Sequence, residues 1–182
     1  MELIARKKIP AIDSQHHMTH YINRISVKSH LKIASIIGKW QLLRNPYKLG
    51  GKMNADNQKA LFKRFPKFFK QRKLPMNQTC MCWGLEIGNG WFDLMYELCE
   101  ELEQLNSKGL EFTQVKEKWG MLRIYVNSAT EECYDMIHEY EKKSSHICEE
   151  CGKKGTNKQT FGWFSTMCTK CRNIYKKSKE RK

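Results

Sequence analysis

The sequence has no run of about 18 apolar residues, the length a helix needs to cross a bilayer. Its first residues, "MELIARKKIP", lack both an apolar core and a small-residue cleavage site, so no secretory signal is legible. These two absences predict a cytoplasmic chain, or one in a host cytoplasm, where thiols stay reduced. Acidic residues are scarce at the start: residues 1–79 hold 17 Lys and Arg against 3 Asp and Glu. No histidine follows His146, which weighs against a histidine-dependent ββα metal nuclease. No internal repeat is visible.

What is present is a charge pattern and eight cysteines. The formal net charge is +14 over 182 residues. Residues 80–147 carry 6 basic and 13 acidic side chains, and residues 148–182 carry 10 and 3. An acidic middle thus lies between two basic ends. The ends can bind a polyanion or fold onto the middle.

Three parts follow from the pattern. Residues 1–53 read as a basic N-terminal extension, partly helical. Ile33, Ile37 and Trp40 recur at helical spacing beside Lys28, Lys32 and Lys39. This helix, over 26–43, packs on a core or lies on a membrane surface. His16, His17, His20 and His30 precede or enter it without carboxylates to orient them as metal ligands.

Residues 54–145 read as an α+β core. Asn54 is a good N-cap for a helix up to Pro66. "LFKRFPKFFKQRK" interleaves Phe with Lys63, Arg64, Lys67, Lys70, Arg72 and Lys73, which suits aromatics turned inward and phosphate-neutralising charges outward. "CMCWGLEI" alternates, with Met81, Trp83, Leu85 and Ile87 on one face, and predicts a half-buried strand. Cys80 and Cys82 on this strand read as buried small hydrophobes. "WFDLMYELCEELEQLN" predicts a helix with Leu94, Leu98, Leu102 and Leu105 inward. Two strands joined at Trp119-Gly120 follow. A last helix then carries a capping box from Ser128 to Glu131 and buries Cys133, Met136, Ile137 and Tyr140. The order β-α-β-β-α predicts a small antiparallel sheet with two helices on one face. Glu100, Glu101 and Glu103 lie near a helix C-terminus, where the dipole disfavours anions, so a basic partner from Lys63–Lys73 or the N-terminal helix is expected.

Residues 146–182 read as a four-cysteine zinc ribbon with a basic tail. Cys148 and Cys151 form one C-x-x-C, and Cys168 and Cys171 a second, sixteen residues on. Two such knuckles aim four thiolates at one point, the donor set of a structural Zn²⁺ with no open position for catalysis. In so short a segment, metal binding supplies folding free energy of about 10 kcal/mol. Gly152 suits the knuckle turn. His146 is either a hydrogen-bond donor beside the site or a polar junction residue. Phe161, Trp163 and Phe164 are expected to cover the knuckles, the alternative being an exposed stacking platform for a base. Lys153, Lys154, Lys158, Lys170 and Arg172 are candidate phosphate contacts.

The motifs "LFKRFPKFF", "TCMCWGLEIGNGWFDLMYELC", "FTQVKEKWGMLRIY" and the terminal C-x-x-C pair with "GWFSTMC" resemble a group of uncharacterised small proteins of phages and prophages. The resemblance spans about Leu61 to Cys171. In such relatives a Cys-Gly-Asp-Gly-like turn follows "CMCWGLE", where this chain has Ile87-Gly88-Asn89-Gly90. The resemblance implies a phage context and no particular reaction.

The expectation that emerges is a phage-type accessory protein that binds nucleic acid or a nucleoprotein complex through its basic ends. Two other readings stand beside it: a protein-interaction module for a host factor, and a metal-dependent nuclease using Glu86, Asp93 and Lys116.

Overall fold

The computed structural model describes residues 52–105 and 107–180. The basic extension, with its expected helix over 26–43 and its histidines, lies outside the described residues.

Asn54 caps the first described helix, α1 (Ala55–Arg64), by accepting from the Asn57 amide at 2.8 Å. The helix stops before Pro66, which cannot continue it. The chain then folds its phenylalanines inward. Phe65, Phe68 and Phe69 are fully buried, and Phe68 and Phe69 lie 5.5 and 5.1 Å from the Phe112 ring. The Phe112 amide donates to the Phe68 carbonyl, so this segment is tied to the core through backbone as well as rings.

The strand expected over "CMCWGLEI" is corrected. Cys80–Trp83 forms a 3-10 turn, opened by the Thr79 hydroxyl accepting from the Met81 amide. Gly84, at φ +74°, then reverses the backbone into a two-residue strand, β1 (Leu85–Glu86). A side chain at Gly84 would run into the Gln58 amide group, which accepts from the Leu85 N–H. Alternation therefore fails at Trp83, which is exposed, while Met81, Leu85 and Ile87 are buried. Cys80 is exposed and Cys82 half-buried, against the expected burial, because the 3-10 turn faces them outward.

A short 3-10 turn over Asn89–Trp91 leads into α2 (Phe92–Gln104), which buries Leu94, Leu98 and Leu102; Leu105, just past its end, is half-buried. β2 (Glu111–Lys118) and β3 (Met121–Asn127) pair as the expected antiparallel hairpin. The sheet order is β1-β2-β3, and β1 runs parallel to β2, with Leu85 opposite Val115 and Glu86 opposite Lys116. The α+β architecture holds, but the sheet is mixed rather than antiparallel. Helix α2 lies between β1 and β2 in sequence, and such a crossover is what returns a chain to a parallel neighbour.

Helix α3 (Glu131–Ser144) buries Cys133, Ile137 and Tyr140. Its cap is Thr130, whose hydroxyl accepts from the Cys133 amide, and not Ser128, which takes a left-handed turn at φ +49°. Its last turns complete the sheet edge. Glu141 accepts from the Ile124 amide at 2.8 Å and Ser144 from the Leu122 amide at 2.8 Å, so helix side chains satisfy β3 where a further strand would pair.

The C-terminal segment forms the hairpin β4 (Thr156–Thr160) and β5 (Trp163–Met167), then helix α4 (Thr169–Glu180). Among the described residues no helix is long and apolar enough to cross a membrane.

Candidate metal centre and the surface around it

The first knuckle is a tight loop. The Cys148 amide donates to Lys153 O at 2.7 Å and the Gly152 amide to Cys148 O at 2.8 Å. Gly152 sits at φ +74°, the left-handed geometry such a turn requires. The second knuckle is the start of α4. Cys168 stands just ahead of the helix, and its sulfur accepts from the Cys171 amide at 3.4 Å.

All four sulfurs lie within 4.8 Å of one another, and Cys151 and Cys168 are 3.7 Å apart. Four thiolates about 2.3 Å from one tetrahedral ion sit about 3.8 Å apart, so this donor set fits a single ion. None of the eight cysteines is in a disulfide. Burial pushes the Cys148 thiol up to about 11, and it raises Cys171 further. Burial also works on Cys168, but amide and thiol hydrogen bonds at the α4 N-terminus outweigh it and bring that sulfur down to about 7. A more readily ionised Cys168 beside the raised thiols of Cys148 and Cys171 is a site whose protonated members lose their protons when a cation arrives.

The knuckles are locked onto the core by close backbone approach. Burial pushes the Glu149 carboxyl up to about 8, and it accepts from the Gly88 amide at 2.9 Å, while its carbonyl accepts from the Gly90 amide at 2.6 Å. The Trp91 indole donates to Ile147 O at 2.8 Å. A Cβ at Gly90 would collide with Cys148 O, Gly152 N and Glu149 O. The turn Ile87-Gly88-Asn89-Gly90 is thus a docking cradle for the first knuckle. His146 is exposed; its carbonyl accepts from the Gly155 amide, which makes it a junction residue.

Arg172 corrects the sequence reading most sharply. Only 9% exposed, it is enclosed by the ribbon. One guanidinium nitrogen donates to Thr160 Oγ1 at 2.8 Å, and the other to Thr156 O at 2.7 Å and Ser165 O at 3.1 Å. It braces α4 against both strands and is not a phosphate contact. The signal was the small polar set Thr156, Thr160 and Ser165, which leaves room for a guanidinium. The expected cover over the knuckles is corrected too. Phe161, Trp163 and Phe164 are 55%, 75% and 42% exposed, because the Arg172 fork and Tyr175 occupy the inner side.

No family model, curated protein or solved structure matches the chain.

The other candidate cations divide into two groups. Arg64 pairs with Glu103 at 2.8 Å and Glu100 at 3.9 Å, Lys67 with Glu103 at 3.9 Å, and Lys70 with Glu111 at 3.3 Å. Arg72 donates to Phe69 O and lies over the Phe62 ring, while Lys63 and Lys73 are exposed. The acidic end of α2 thus finds its expected basic partner within the chain. On the ribbon, Lys153, Lys154, Lys158 and Lys170 are exposed and form no ion pair among the described residues.

The nuclease constellation does not assemble. Glu86 and Lys116 are strand partners, but Glu86 pairs with Lys52 at 3.7 Å, Lys116 lies over Tyr125, and Asp93 stands exposed on α2. Among the described residues, the cysteine cluster is the one group of three or more His, Cys, Asp or Glu side chains placed to share an ion.

Proposed function

We propose that this protein is a phage-type accessory factor that binds nucleic acid through its C-terminal ribbon, which a structural zinc ion holds in shape. The observation that carries the reading is the division of its cations. Three of the six in 63–73, Arg64, Lys67 and Lys70, are matched by Glu100, Glu103 and Glu111, whereas the ribbon lysines all lack carboxylate partners among the described residues. Exposed ion pairs contribute only about 0–1 kcal/mol each, but they cancel local field, and a phosphate would have to displace them. Lysines without such partners offer their full charge. Zinc is the ion that suits four thiolates, and all four ligand positions are taken, so the metal supports the fold and no reaction. The free state of all eight cysteines supports a reducing compartment, the cytoplasm. The motif resemblance to phage and prophage proteins supports the accessory role.

The test is a binding titration across salt concentrations. With three or four phosphates contacted, log affinity for a single strand should fall against log salt with a slope of about −2 to −3. Replacing Lys153, Lys154 and Lys158 by Ala should flatten that slope, and replacing Arg64 and Lys67 should leave it nearly unchanged. Pull-down from host lysate with and without nuclease treatment separates the reading from a host-protein partner: one stoichiometric protein retained after digestion would replace it. Metal analysis of the purified chain should return one zinc per molecule.

A further inference from the structure

We infer that the tip of the ribbon hairpin is a stacking site for unpaired bases, so that the preferred ligand is single-stranded nucleic acid. This rests on the nucleic-acid reading above and goes further in naming the strand state and the rings.

Two hairpins in this chain close with two-residue loops, Trp119-Gly120 between β2 and β3 and Phe161-Gly162 between β4 and β5. Both residues of each loop are left-handed, with φ of +57° and +75° in the first and +52° and +84° in the second. Such loops favour Asn or Asp at the first position, where a bulky ring is strained. Neither ring recovers that strain through full burial, since Trp119 and Phe161 are 67% and 55% exposed. Strain retained to keep aromatic rings in solvent points to a ligand.

The two loops are not independent. The Asn157 amide donates to Trp119 O at 2.8 Å, and the Thr166 hydroxyl donates to Gly120 O at 2.5 Å. Gly120 approaches the Ser165 backbone too closely for any side chain. These contacts bring Trp119 within 6.0 Å of Phe164, edge to face, and Phe161 lies 6.3 Å from Tyr175 on α4. Trp163 shares a strand face with Lys158, whose register partner is Ser165. Five rings from three elements thus line the two faces and the tip of a braced hairpin, Trp119 with Phe164 on one face, Trp163 on the other and Phe161 with Tyr175 at the turn.

Exposed rings alone would suit a second copy or a protein groove equally. The charge selects among them. No Asp or Glu occurs between Cys151 and Lys179, a stretch that includes Lys153, Lys154, Lys158, Lys170, Lys176 and Lys177. At the other loop, Lys118 is exposed, and the Glu117 carboxylate is engaged by the Gly120 amide. Rings interleaved with cations, with the Glu117 carboxylate turned to the Gly120 amide and no carboxylate on the hairpin itself, match a ligand of alternating planar bases and phosphates. A protruding tip reaches bases only where they are not already paired and stacked in a duplex.

The experiment compares a labelled oligo-dT strand with a duplex of equal length, by anisotropy at fixed salt, for the zinc-loaded parent and three variants. Trp119→Asn and Phe161→Asn remove a ring while supplying the residue the turn prefers, so both should melt at or above the parent temperature. Trp163→Ala removes the most exposed ring. Each variant should bind the single strand about fivefold to a hundredfold more weakly, with duplex binding and the salt slope unchanged. Folded Asn variants that bind the strand as the parent does, or a parent that prefers duplex, would overturn the stacking site and leave the nucleic-acid reading in place. Absence of binding to either ligand at low salt would overturn both. Loss of self-association in the variants, with strand binding intact, would assign the rings to a second copy of this chain instead.

Discussion

Lys170 and Arg172 stand two residues apart on α4, and opposite physics governs them. Lys170 is exposed, so its charge stays in water and its loss affects only long-range attraction. Arg172 is enclosed, and its removal would leave the Thr156 and Ser165 carbonyls short of donors in a segment with almost no apolar core. Arg172→Ala should cost about 2–3 kcal/mol in chemical denaturation and speed metal loss to a chelator, while Lys170→Ala should change neither. Arg172→Lys should restore little, because an ammonium cannot span both strands as a planar fork does. Thr130 offers a smaller case: Thr130→Ala should cost about 1 kcal/mol, read from the denaturation midpoint, and Ser128→Ala should cost less.

At the level of elements, close approach decides more than propensity. Gly90 has no left-handed backbone requirement, yet an added methyl would meet the Cys148 carbonyl and the Gly152 amide. Gly162 has open space around it but a φ of +84°. Gly90→Ala should therefore undock the first knuckle, seen as rapid hydrogen exchange over 146–155. Gly162→Ala should cost about 1 kcal/mol or somewhat more and leave docking intact. The β3 edge depends likewise on a remote helix. Glu141→Ala would strand the Ile124 amide and the Arg123 guanidinium, at about 2–3 kcal/mol by urea midpoint, and would open the edge to pairing with other chains. Helices α1 and α2 were legible because 3.6-residue periodicity and capping are local. β1 was not: its alternation was real in sequence, but the Thr79 cap and the Gly84 reversal turned half of it into a 3-10 turn.

For the whole molecule, the ribbon and the core are one mechanical unit through the Gly88–Trp91 cradle and the Trp119-Gly120 loop. Removing the metal should do more than unfold 146–182. It should also free the Trp91 indole and the Gly88 and Gly90 amides, lowering the melting temperature of the core by several degrees and broadening its transition. A core transition unchanged by chelation would show that the ribbon is merely appended. The same scale settles the charge. The net +14 of the sequence overstates the exposed field, because α2 and β2 neutralise part of the 63–73 cluster internally.

The sequence by itself determined the four-cysteine cluster, the helices of the core and the hairpins, though not helix α4, which lies where only a basic tail was expected, because C-x-x-C spacing, helix periodicity and two-residue turns act over a few neighbouring residues. Tertiary structure alone decided that β1 lies parallel to β2, that Arg172 faces inward, that the ribbon's aromatic residues face solvent, and which cations are matched. Those outcomes depend on which surfaces meet across tens of residues. One close contact, such as the Glu149 carbonyl against Gly90, can then override what any short window implies.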